Sequence, residues 1–173
     1  MNSDLSTMLN KVYDLCDEQD AMGLGMAGVK TRDLQQVEFI SCALYFAKAD
    51  GEISDEDESF FQKYLNPNMT KEMISNVYEM IINDPLTKSR GDYADNVPPS
   101  ILTQVEKDNK VYASSNDDTK SVAAAVAAVF NLIGRELVKD ADDDVKSKFE
   151  AYVTRIVDYI HENLAYDYRL DFE

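Results

Sequence analysis

SVAAAVAAVFNLIGRELV, residues 121 to 138, places Val122, Val126, Val129, Phe130, Ile133 and Leu137 among alanines, so that apolar side chains run right round the helix the segment predicts. A helix that is apolar on every side is buried. The small alanines let several other helices approach its backbone closely, which makes the segment the expected central post of an all-helical domain. It is not a membrane span. The run is alanine-rich and is interrupted by Asn131, Arg135 and Glu136, whereas about 20 predominantly apolar residues are needed to cross a bilayer.

Working back toward the N-terminus, Leu5, Met8, Leu9, Val12, Leu15 and Cys16 recur at the spacing of an amphipathic helix capped by Ser3 or Asp4 and ending near Asp20. The connector AMGLGMAGVKT carries Gly23, Gly25 and Gly28 but lies between helices, with no preceding strand, so it does not read as a phosphate loop. A second helix from about Arg32 to Lys48 puts Leu34, Val37, Phe39, Ile40, Ala43, Leu44, Phe46 and Ala47 over more than half its circumference, and is expected to pack against 121–138. Gly51 ends it, and Ser54 caps a third helix that turns Phe60, Phe61, Tyr64 and Leu65 inward. A fourth, from Thr70 to Asn83, is expected to face the core with Met73, Ile74, Val77, Met80 and Ile81.

DPLTKSRGDYADNVP, residues 84 to 98, is polar and bounded by prolines, and predicts the connection between two halves. The Arg90-Gly91-Asp92 tripeptide within it is read as coincidence. A fifth helix after Pro99 carries Ile101, Leu102 and Val105, a polar link spans 113 to 118, and Thr119 or Ser121 caps the central helix. The last helix sets Val145, Phe149, Tyr152, Val153, Ile156, Val157 and Ile160 toward the core. A tail with Tyr166, Tyr168 and Phe172 follows it. The expectation is one domain over 1–173, with halves of about 1–84 and 98–173 joined by the 85–97 loop.

The chain has 173 residues, 33 acidic against 17 basic, and a formal net charge of −16 with 45% apolar residues. That content suffices for a folded core, and the charge disfavours nucleic acid and anionic lipid while favouring divalent cations or a protein partner with a basic surface. Cys16 and Cys42 have no metal or redox spacing, and His161 stands apart from any nucleophile. The reading is therefore not an enzyme. MNSDLSTMLN lacks a basic region followed by an apolar core, which predicts no signal peptide and a cytoplasmic location.

Two stretches share one plan. ALYFAKADGEISDEDESFFQKYL from Ala43 and IGRELVKDADDDVKSKFEAYVTRI from Ile133 each run from an apolar helix through a lysine and an acidic turn into a helix bearing Phe and Tyr. Aligning Lys48 with Lys139 and Phe60 with Phe149 makes the second unit two residues shorter, and the units are expected to pack about a pseudo-twofold axis. FAKADGEISDEDESFF, from Phe46, resembles the motif of the TerB-like family, named for a tellurite-resistance protein, and FNLIGRELVKDADDDV is similar to its later helix-and-acid segment. The resemblance implies about seven helices, an acidic and metal-binding surface, and work as a bacterial accessory or adaptor protein. Asp142 stands where the first unit has Gly51, a departure from a symmetric pair of sites.

An ordinary EF-hand is excluded: with Gly51 at loop position 6, ligand positions 1 and 3 fall on Phe46 and Lys48. The remaining metal candidates are a looser calcium or magnesium site at Asp50, Glu52 and Asp55, or at Asp140, Asp142 and Asp143. The competing function is that of an acidic immunity or inhibitor protein, steered by its charge onto a basic toxin such as a nuclease.

Overall fold

In the computed structural model, which describes residues 2–115 and 120–172, eight helices follow one another without a strand among the described residues. They are α1 Asn2–Ala21, α2 Thr31–Ala49, α3 Asp55–Tyr64, α4 Lys71–Ile81, α5 Pro85–Lys88, α6 Pro99–Ser115, α7 Val122–Val138 and α8 Asp143–Asn163, with a short 3-10 turn at Tyr93–Asp95. The caps expected from side chains of Ser3 or Asp4, and from Thr119, lie outside the described residues.

α7 is the post around which the single domain closes, packed by α1, α2, α6 and α8. Val126, Val129, Phe130 and Ile133 are fully enclosed, and the alanines at 123, 124, 125 and 127 are buried where neighbouring backbones come close. Gly134 serves the same purpose on the α8 side, where the ring of Phe149 occupies the space a Cβ would take. Aromatic rings continue the core: Phe130 meets Phe39 edge-on at 5.0 Å and Tyr152 at 6.3 Å, and Phe46 meets Phe149 at 5.2 Å.

The start of α7 is held twice. Ser121 accepts from the Ala124 amide at 3.0 Å, as a serine cap should. Asp108 of α6, only 6% exposed, accepts from the Ser121 hydroxyl and from the amides of Val122 and Ala123 at 2.9, 3.1 and 3.0 Å. Burial raises the Asp108 carboxyl above its ordinary range, and these three donors pull it partly back. A comparable reach starts α2, whose N-cap residue Lys30 makes no side-chain cap: Asp20 accepts from the Thr31 amide at 3.0 Å and from its hydroxyl at 2.5 Å, closing the glycine-containing connector. Gln19 and Gln104 exchange two amide hydrogen bonds, and Gln35 donates to Ser100, so α1 and α2 are stitched to α6 through polar groups that are buried yet satisfied.

Several expectations are corrected. Leu34 and Val37 of α2 are 49% and 52% exposed, and Met73 and Met80 of α4 are 42% and 75% exposed, because no helix covers those faces among the described residues. Leu102 also faces out. The polar link begins later than 113, since α6 continues to Ser115. Residues 84 to 98 are not a plain loop: Tyr93 bonds Tyr152 through their hydroxyls at 3.1 Å, Arg155 donates to the Ala94 carbonyl at 2.6 Å, and Asp92 accepts from Tyr45 and Lys148. The tail packs on the core through Tyr168 and Phe172, and most deeply through Leu170, which is 1% exposed.

Candidate functional site

The two helix-turn-helix units named from the sequence are α2–α3 and α7–α8, and their acidic turns come to one end of the domain. Each turn is built by capping. Ser54 and Asp57 form a reciprocal capping box at α3, and Asp142 accepts from the Val145 amide at 3.0 Å to start α8. Gly51, at φ 125°, takes the left-handed conformation that lets α2 end and the chain reverse.

Asp50, Asp55 and Asp140 line a cleft of about 460 Å³ between these turns. Asp142 stands close enough to Asp50 to act on it electrostatically. Glu52 points outward and pairs with Lys48 at 3.5 Å, and Asp143 is an exposed residue of the first turn of α8. Glu56, Asp57 and Glu136 complete the acidic lining, and Lys139, bonded to Glu136 at 2.8 Å, is the cation at its edge. None of these four stands among the site residues expected from the sequence. Glu136 carried a signal: an acid in the last turn of a helix opposes the helix dipole, so its position there asks for a reason.

The acids are not arranged as one ligand set. Asp55 is ion-paired with Lys71, Asp57 and Asp142 are engaged by backbone amides, and among the described residues no group of three or more His, Cys, Asp or Glu is placed to hold a metal ion. As the side chains stand, they do not fit a divalent ion in a single cage. They do fit a wide, solvent-facing negative surface.

Asp50 bears the cost of that arrangement. Burial raises its carboxyl above the ordinary value, the neighbouring Asp57 and Asp142 raise it further, and it sits at the C-terminal, negative end of α2. A carboxyl raised in the folded state means that the native protein binds the proton more tightly than the unfolded chain, so stability falls as pH rises above the ordinary carboxylate range. Asp50→Asn is accordingly expected to melt above wild type at pH 7, with the gain disappearing as pH falls through that range. Thermal melts across pH 3 to 7 check this, and a variant that melts lower at neutral pH contradicts it.

Thiol chemistry is absent from this end. Burial pushes the Cys42 thiol up to about 12 and the Cys16 thiol up to about 11, which leaves both protonated at neutral pH and enclosed in the core. No helix among the described residues is long and apolar enough to cross a membrane. Fold and cleft thus define an all-helical domain with a concentrated acidic end. Comparison of the chain with protein-family models, with curated proteins and with solved structures returns no match.

Proposed function

We propose that this chain is a non-enzymatic accessory or adaptor protein of TerB-like kind that receives the basic surface of a protein partner in its acidic cleft. The observation that carries the reading is convergence: acids between Asp50 and Asp57 and between Glu136 and Asp140, segments about 80 residues apart, line one cleft in a chain of net charge −16. Such a field accelerates encounter with a basic partner and excludes acidic ones. The α2–α3 and α7–α8 units, each presenting an acidic turn, support the pseudo-symmetric halves that the internal repeat implies. A divalent cation, which the side chains as they stand do not cage, would have to draw Asp55 from Lys71 and Asp142 from the Val145 amide. The charge also favours a second function, inhibition of a basic toxin such as a nuclease.

Affinity capture from the native cell, with wild type beside a variant carrying Asp50→Asn, Glu56→Gln and Asp140→Asn, separates these. A basic partner retained by wild type and lost by the variant, increasingly so with salt, supports docking in the cleft. Equal capture by both removes the cleft from the function. A captured nuclease that the protein inhibits selects the immunity reading. Calorimetric titration with calcium or magnesium is expected to give a dissociation constant on the order of 0.1 to 1 mM if a cation shares the site, as in low-affinity modules. Heat that survives Asp50→Asn with Asp142→Asn places any cation elsewhere.

A further inference from the structure

Two of the three polar residues that interrupt the apolar run of α7 fall on one side of the helix. Asn131 and Arg135 are one helical turn apart and share a stripe with Val138, and this stripe lines a groove of about 590 Å³ against Lys146, Phe149, Glu150 and Val153 of α8. The volume lies in the range of small-molecule sites, 300 to about 1,000 Å³.

Asn131 is the anomaly. It is 8% exposed in the middle of the most buried helix, and its side-chain amide has no hydrogen-bond partner among the described residues. A side-chain amide with so little access to solvent and no protein partner is uncommon in folded proteins. The amide is not sealed in, because the unpartnered polar side-chain atom that is fully enclosed among the described residues is the Tyr13 hydroxyl. What remains accessible of Asn131 opens on the groove. Its donors and acceptor are therefore offered to whatever enters.

The charge around it is opposite to that of the molecule. Arg135 and Lys146 have no ion-pair partner among the described residues, while Lys139 at the groove's end is neutralised by Glu136 at 2.8 Å. Setting Glu150 against Arg135 and Lys146 leaves one excess positive charge in a chain of net −16. The walls between these groups are apolar, formed by Val138, Phe149 and Val153. One excess cation matches a monoanion, an arginine fork matches a carboxylate, and the apolar walls match a hydrocarbon body.

We propose that the α7–α8 groove binds a small organic monocarboxylate, with its carboxylate on Arg135 and the Asn131 amide and its apolar body along Phe149 and Val153. This site is separate from the acidic cleft and does not rest on the function proposed for it. The probe is 3-phenylpropanoate, titrated into the full chain by calorimetry and by amide-resolved NMR, beside acetate and 3-phenylpropylamine. Saturable binding is expected for 3-phenylpropanoate, at least tenfold tighter than for acetate or the amine, with shifts at Gly134 and the Asn131 side chain. Arg135→Gln and Asn131→Leu are each expected to weaken it tenfold or more. Arg135→Gln removes an exposed, unpaired charge from the last turn of α7 and should lower the melting temperature only slightly, and Asn131→Leu removes an unpartnered amide at similar volume and should melt at or above wild type, so lost binding is not unfolding. No saturation, equal binding of acetate or the amine, or undiminished binding in Arg135→Gln overturns the proposal.

Discussion

Replacing Phe130 with alanine is expected to lower the unfolding free energy by about 3–5 kcal/mol, the usual cost of emptying a phenylalanine site in a core. For a chain of this size each kcal/mol moves the melting temperature by about 2–4 °C, so the shift should be roughly 10 °C. The reason is specific to the site. Phe130 is fully enclosed and joins Phe39 of α2 to Tyr152 of α8, at 5.0 and 6.3 Å with near-perpendicular rings, so alanine removes the contact that links three helices. Phe130→Leu, which keeps most of the volume, should cost less than about 2 kcal/mol. Thermal or urea denaturation with unchanged midpoint in Phe130→Ala would mean that α7 is not the post of the domain.

The second expected effect has an unusual sign. Glycine in a helix interior is worse than alanine by about 0.8–1.0 kcal/mol, so propensity alone predicts that Gly134→Ala stabilises α7. Packing predicts the reverse. A Cβ at 134 would stand 2.6 Å from Cζ of Phe149 and closer still to the ring edge. That ring is 5% exposed and held edge-on by Phe46 at 5.2 Å, so it has little room to give. Overpacking of this kind costs about 1–3 kcal/mol and sometimes more, which outweighs the propensity gain. Gly134→Ala should therefore melt below wild type, Gly134→Val lower again, and Phe149→Leu should recover part of the loss in the double variant. Gly134→Ala melting above wild type would show that α7 and α8 are not in the close contact described.

The candidate site was legible in part. Asp50, Asp55 and Asp140 were readable because each stands in an acidic turn between two amphipathic helices, and they do share a cleft. Glu56, Asp57, Glu136 and Lys139 were not, since a charge on a helix surface looks alike whether it faces water or another turn. Asn131 was visible only as an interruption of an apolar run. Its lack of a partner is a fact about every group around it.

What the sequence by itself determined is local: the helices of 2–21, 31–49, 55–64, 71–81 and 143–163, the caps at Ser54 and Ser121, and the burial of α7, all follow from side-chain period and capping chemistry within a few residues. Tertiary structure decided which apolar faces find a cover. Leu34, Val37, Met73 and Met80 keep perfect helical spacing and stay exposed, because periodicity defines a face but not whether another helix reaches it. It also decided the reach of Asp108 from α6 to the start of α7, the meeting of two acidic turns far apart in sequence, and the groove beside Asn131. Each of these depends on contacts between residues distant along the chain, and a hydrogen bond or a Coulomb interaction is set by distance in space.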